Sequence, residues 1–202
     1  GPGLAPCHCH PLSSNVRHQK ASCRGMRYVV VGTSGSGKTT FSRELALALS
    51  VQHIELDELH WASNWTPRPT SEFLQWVEEV AAGAEWVIDG DYSVVRGVLW
   101  PRATHIIWLN FSRTVVFPRL VWRTLKRTLL RQKLLHGNRE SIRQAFFSHD
   151  SILLWSFSTF GKSRRKYAAL REAAENRHLS WVELRSPGEV GRFLASSART
   201  DA

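Results

Sequence analysis

The sequence is poor in sulfur, and what it has is gathered at one end. Cys7, Cys9 and Cys23 and the single methionine, Met26, all fall within the first 26 of 202 residues. The bulk of the chain therefore cannot depend on disulfides, and no hydrophobic signal segment precedes it, so a cytoplasmic protein is expected. Long apolar runs are missing too. None approaches the ~18 residues of a membrane span, and stretches such as YVVVG and HIIWLNF are strand-length. No Asn-Lys-x-Asp stretch occurs, which excludes the guanine-selecting loop of GTPases. The length suits one domain with a proper core and is short for motor or AAA-type ATPases. Acid is scarce: 17 Asp and Glu stand against 27 Lys and Arg, a formal charge of +10. That balance favours anionic partners, whether nucleotides, nucleic acid or an acidic surface.

Residues 1–25 are rich in Pro, Gly, Ser and His and lack apolar periodicity, so they read as a flexible arm. The opening GPG reads as a cloning remnant, and Met26 is expected to begin the folded part. The CHCH run, Cys7 to His10, has alternating ligand types, but such near neighbours rarely close a tetrahedral metal site.

From Met26 onward, strand and helix patterns alternate. Strands are expected at 27–32, 52–56, 85–89, 104–110 and 179–184. Helices are expected from Lys38 to about Ser50, over 70–83 and over 187–197, and through most of Arg113 to Ala174, broken at Pro118, around 136–138 and near Gly161. No internal repeat is visible. The alternation predicts an α/β fold, a mostly parallel sheet covered on both faces, with ligands at the carboxyl ends of its strands.

At the end of the first strand stands GTSGSGKT, Gly32 to Thr39, which fits G-x-x-x-x-G-K-[ST] in full. Gly32, Gly35 and Gly37 permit turns that aim successive amides at a phosphate. Ser34, Ser36 and Thr40 complete the loop and its first helical turn. Lys38 supplies a mobile cation for the β- and γ-phosphates, Thr39 a hydroxyl for Mg²⁺, and the helix its positive end. A nucleoside triphosphate, expected to be ATP with Mg²⁺, is the implied ligand.

Two acidic sites follow neighbouring strands: Asp57 with Glu58 after the second, and Asp89 with Asp91 after the third. Carboxylates there can hold Mg²⁺ or accept an acceptor's proton, although acidic residues also end strands as turn formers. Asp89 is the metal candidate, and Asp57 the candidate base or acceptor anchor.

Taken together, GTSGSGKTTF, LDELHW, VIDGDYSVVRGVLWPRATHIIWLN, GNRESIRQAFFSHDSILLW and ELRSPGEV resemble the bacterial adenylate-kinase-related P-loop proteins of topology-modulation type, from Met26 to about Leu194. That group is similar in turn to the nucleoside-monophosphate and shikimate-kinase-like enzymes. The resemblance implies a three-layer P-loop NTPase fold, a five-stranded parallel sheet, a substrate segment after the second strand and a helical lid at about 113–174. It also places Asp89-Gly90 against the acceptor and Arg185 and Pro187 beside the nucleotide base. Where adenylate kinases carry DGFPR this chain reads DGDYS, which counts against AMP as acceptor.

Arginines at 119, 123, 127 and 131 recur every fourth residue, so on a helix the row covers one side, leaving Val121, Trp122, Leu125 and Leu129 to face the core. Between Arg113 and Arg143 nine basic residues meet a single acid, Glu140. A solvated face would ordinarily mix signs. The row therefore suggests an external anion, the phosphates of a nucleotide or a nucleic-acid backbone, with a solvated helix face as the remaining alternative. By the resemblance, Arg123 and Arg127 are lid arginines for the transferring phosphoryl group. Arg139 and Arg143 form a second such pair, and Arg164, Arg165 and Lys166 a third basic group. Around the acceptor, Arg96, Trp61 and Tyr92 are further candidates: an anchor for an acidic group, a stacking ring and a hydroxyl donor. Each has a structural alternative on a helix surface or as cover for the core. His149-Asp150 lacks an activated Ser or Cys beside it and reads as a capping or core pair.

The expected activity is phosphoryl transfer from ATP to a small-molecule acceptor. The rivals are a kinase or ATPase acting on nucleic acid, whose binding would weaken steeply with salt, and a nucleotide-binding regulatory module with little turnover.

Overall fold

The computed structural model describes residues 25–129 and 152–198. Its strands are β1 (Arg27–Gly32), β2 (Gln52–Glu55), β3 (Trp86–Asp89), β4 (His105–Leu109) and β5 (Ser180–Leu184). They form one parallel sheet in the order β2-β3-β1-β4-β5. Among the described residues the helices are α1 (Lys38–Ala48), α2 (Leu56–His60), α3 (Thr70–Ala81), α4 (Ser93–Leu99), α5 (Arg113–Leu129), α6 (Ile152–Glu172) and α7 (Pro187–Ser197). None is long and apolar enough to cross a membrane.

Successive strand residues point to opposite faces, and both faces are covered. Val29, Val31, Ile88, Ile106 and Trp108 join Phe73 and Val77 of α3 and Val95 and Leu99 of α4 in one core. Tyr28, Val30, Val87, Ile107 and Leu109 meet Phe41 and Leu45 of α1 and the partly buried Val190, Phe193 and Leu194 of α7 in the other. A strand buried on both sides has no polar face, which is why these runs are continuously apolar. Each fully buried Val, Leu or Ile contributes about 1.5–3 kcal/mol. Helix α6 serves both layers, giving Phe160 to the second core and Tyr167 to the first.

Three expectations are corrected. Pro118 lies inside α5 without ending it. Both it and Thr114, whose carbonyl loses its partner, are exposed, so water can replace the missing bond. Gly161 likewise sits within α6, where a Cβ would meet nothing within 4 Å. The second strand stops at Glu55, because Asp57 and Glu58 in the first turn of α2 favour the positive end of a helix.

The final helix starts where its sequence dictates. Ser186 accepts a hydrogen bond from the Glu189 amide at 3.3 Å, Glu189 accepts one from the Arg185 amide at 2.8 Å, and Pro187 opens the helix.

Candidate active site

A glycine-rich loop links the central strand to α1. Gly35 and Gly37 take φ of +81° and +89°, a region L side chains avoid. A Cβ on Gly35 would also lie 3.1 Å from both the Leu120 Cβ and the Val116 carbonyl. Glycine here makes the turn and lets α5 lie across the loop. Gly35→Ala is expected to cost about 1–3 kcal/mol in backbone strain, read as a melting temperature lowered by several degrees.

Gly37 caps α1 with no side-chain acceptor, so the first-turn amides lack the partner a Ser or Asp cap would give. The buried Ser36 hydroxyl has no hydrogen-bond partner among the described residues. Lys38 folds its Nζ onto the Thr33 carbonyl at 3.2 Å. Burial pushes the Lys38 ammonium below the usual lysine range; Asp89, Asp57 and Asp91 pull it back up, while Arg123 opposes them. An uncapped helix start, an orphaned hydroxyl and a movable ammonium together fit a chain of phosphates.

Asp89 ends β3 and is buried. Thr39 Oγ1 donates to its Oδ2 at 2.8 Å, and His53 Nε2 lies 3.0 Å from its Oδ1. Among the described residues no three His, Cys, Asp or Glu side chains converge. Mg²⁺ needs no such cage, since it keeps several waters and takes one or two protein oxygens beside substrate phosphates. Thr39 and Asp89 fit that donor set. Gly90 follows at φ +119°, its missing Cβ leaving room for Leu56.

Asp57, exposed on α2, accepts a hydrogen bond from the Tyr92 hydroxyl at 2.6 Å. Burial, then the charge and hydrogen bond of Asp57, raise the Tyr92 hydroxyl far above the tyrosine range, so it stays a donor. The His60 ring packs between Tyr92, Phe73 and Trp61, at centroid distances of 4.5, 5.0 and 4.7 Å. Trp61 packs edge-on against both His60 and Trp65.

Asp91 gathers cations. Arg96 donates to Oδ1 through Nη2 at 2.7 Å and Nε at 3.3 Å, and Lys166 of α6 donates to Oδ2. Burial, then the charge of Asp91, raises the Tyr167 hydroxyl far above the usual tyrosine range. Burial alone would raise the Asp91 carboxyl, but the hydrogen bonds and charges of Lys166 and Arg96 hold it below its ordinary value. Arg96 also lies over the Trp100 ring, 5.0 Å from its centroid. The guanidinium suggested as an acceptor anchor is committed to a protein carboxylate.

On α5 the buried side is Val116 and Leu120, while Trp122 is 70% exposed and Leu125 also faces outward. The expected core face is therefore displaced, because Gly35 admits the 116–120 turn onto the loop. Arg123 donates to the Ser34 hydroxyl at 3.3 Å. Arg119 places Nη1 4.0 Å from where a Gly37 Cβ would be and lies over Phe111. Spacing marked Arg119 as part of the row but not as a loop contact. The Arg127 side chain, Arg139 and Arg143, like the CHCH run and His149-Asp150, lie outside the described residues. Arg185, beyond β5, is exposed and pairs with both Glu183 oxygens at 2.9 and 3.0 Å. Thr40 is exposed on the first turn of α1.

A parallel α/β sheet of order β2-β3-β1-β4-β5, with this loop between its central strand and α1, defines a P-loop NTPase fold. Two solved structures are similar to the chain. A gluconokinase from Sinorhizobium meliloti is 19% identical, with a TM-score of 0.49 over 89% of this chain and 94% of that one. A sugar kinase from Janibacter sp. is 21% identical, with a TM-score of 0.48 over 85% and 93%. At such identities the likeness is one of chain path. No protein-family model and no curated protein sequence matches the chain.

Proposed function

We propose that this protein is an ATP-dependent phosphotransferase acting on a hydroxyl group of a small molecule. The observation that carries the reading is one juxtaposition. Lys38, the Thr39–Asp89 hydrogen bond and the Tyr92–Asp57 hydrogen bond all lie just beyond the carboxyl ends of β1, β3 and β2. Arg119 and Arg123 lie over the same loop.

The acceptor oxygen attacks the γ-phosphorus in line. An oxygen–phosphorus bond forms, and the bond to the β,γ-bridging oxygen breaks, its electron pair leaving with ADP. The hydroxyl proton passes to Asp57, which the Tyr92 hydroxyl orients, and then to water. Lys38 and the α5 arginines sit where charge spreads over the transferring phosphoryl oxygens. When bound, Mg²⁺ neutralises β- and γ-oxygen charge, and Thr39 and Asp89 are the residues that would hold it. Of the arginines in the lid expected at about 113–174, Arg119 and Arg123 are the described ones at the loop.

The test is ADP formation from Mg-ATP, alone and with nucleosides, nucleoside monophosphates, hydroxylated metabolites, and short RNA and DNA. Stimulation by a small hydroxyl compound supports the proposal. Stimulation by nucleic acid alone would reassign the arginine row to a phosphate backbone. ATP binding with no stimulation would leave a regulatory module.

A further inference from the structure

The segment that supplies Asp57 and Asp89 differs in charge from the rest of the sequence. Residues 52–99, from β2 to α4, hold nine carboxylates and two arginines, a net −7 in a chain of formal charge +10. The remainder of the sequence is thus +17. Both arginines are engaged: Arg68 with Glu72 and over Trp76, Arg96 with Asp91 and over Trp100. Lys166, which reaches in from α6, also ends on Asp91.

His60 adds no charge near neutral pH. Burial pushes its imidazole below the usual histidine range, with Asp57 pulling the other way. The negative field is felt locally: burial, then the charges of Asp89 and Glu58, raise the Glu55 carboxyl. Asp57 itself faces the uncharged hydroxyl of Tyr92. A phosphate or carboxylate placed beside Asp57 would meet like charge. Among residues 52–99 it would find no arginine without a carboxylate partner, and drawing on Arg96 would strip Asp91 of a cation. A neutral or cationic alcohol instead meets a carboxylate to accept from its hydroxyl, flanked by the rings of His60, Trp61 and Tyr92.

We infer that the acceptor carries no negative charge, being an uncharged polyhydroxyl compound or an amino alcohol whose reacting hydroxyl donates to Asp57. The inference rests on the phosphotransferase reading and narrows its substrate class.

Matched probes test it on the full chain with Mg-ATP: adenosine against AMP, glucose against gluconate, ethanolamine against glycolate. ADP formation is expected to be stimulated by an uncharged or cationic member, with kcat/KM at least ~10-fold above its anionic counterpart, a ratio equal to about 1.4 kcal/mol. Equal or better stimulation by an anionic member would overturn the inference while leaving phosphotransfer in place. Mg-ATP binding with no stimulation by any of the six would overturn the phosphotransferase reading and this inference with it.

Discussion

Lys38→Ala is expected to lower acceptor-stimulated ADP formation by about 10²–10³-fold, the loss that follows removal of one pre-positioned charge from a transition state. Lysine suits this position because its stem lets the ammonium leave the Thr33 carbonyl, 3.2 Å away, for an incoming phosphate. Its burial is unfavourable in the ligand-free protein, as the downward shift of its ammonium indicates. Truncation should therefore leave the melting temperature level or slightly higher, as is common where a site is strained for function. A Lys38→Ala protein with normal turnover would remove the loop from the chemistry. One that melted well below the parent would show a structural role instead.

Asp91→Asn is expected to destabilise the fold by about 3 kcal/mol. The Asp91 side chain is 5% exposed and receives Arg96 and Lys166 together. Removing its charge leaves two cations facing each other around a neutral amide, and breaking a buried pair commonly costs about 3–5 kcal/mol. Lys166 is 42% exposed and can turn to water, which places the value at the lower end. The sign with pH follows from the depressed carboxyl. Its contribution is fully present above the ordinary value of 3.8 and is lost as pH falls through the lower folded value. Denaturant titrations at pH 7 and near pH 3 should show the parent–variant gap shrinking in acid. An equal gap at both would mean that Asp91 acts by packing alone.

Much of the architecture was legible along the chain, since it rests on local signals. Continuous apolar runs with glycine after the first marked β1 and β4, and the helical pattern over 187–197 marked α7. The glycine loop was legible for the same reason, as its φ values demand its spelling. What was not legible depends on distance in sequence. Asp91 and Lys166 are 75 residues apart and Thr39 and Asp89 are 50 apart. The first pairing had no local trace, whereas the second was anticipated as two separate metal candidates. His53 was missed because one histidine in a short strand looks like any other until β3 sets Asp89 beside it. Arg96, a candidate anchor for an acidic group, and Arg185, placed beside the nucleotide base by the resemblance, each meet a carboxylate of the protein, a pairing the sequence alone does not show.

The placing of β1 at the middle of the sheet bears on how the chain is made. Val29 pairs with Ile88 on one side and Ile106 on the other, 59 and 77 positions later. A ribosome therefore releases the central strand long before either neighbour exists, and the sheet cannot begin to assemble around its centre until β3 and β4 have emerged. During that interval the apolar run Tyr28 to Val31 is unpaired and open to association with other chains. Slow, non-local assembly of this kind makes the yield of active protein depend on translation speed and on chaperones that shield the waiting strand.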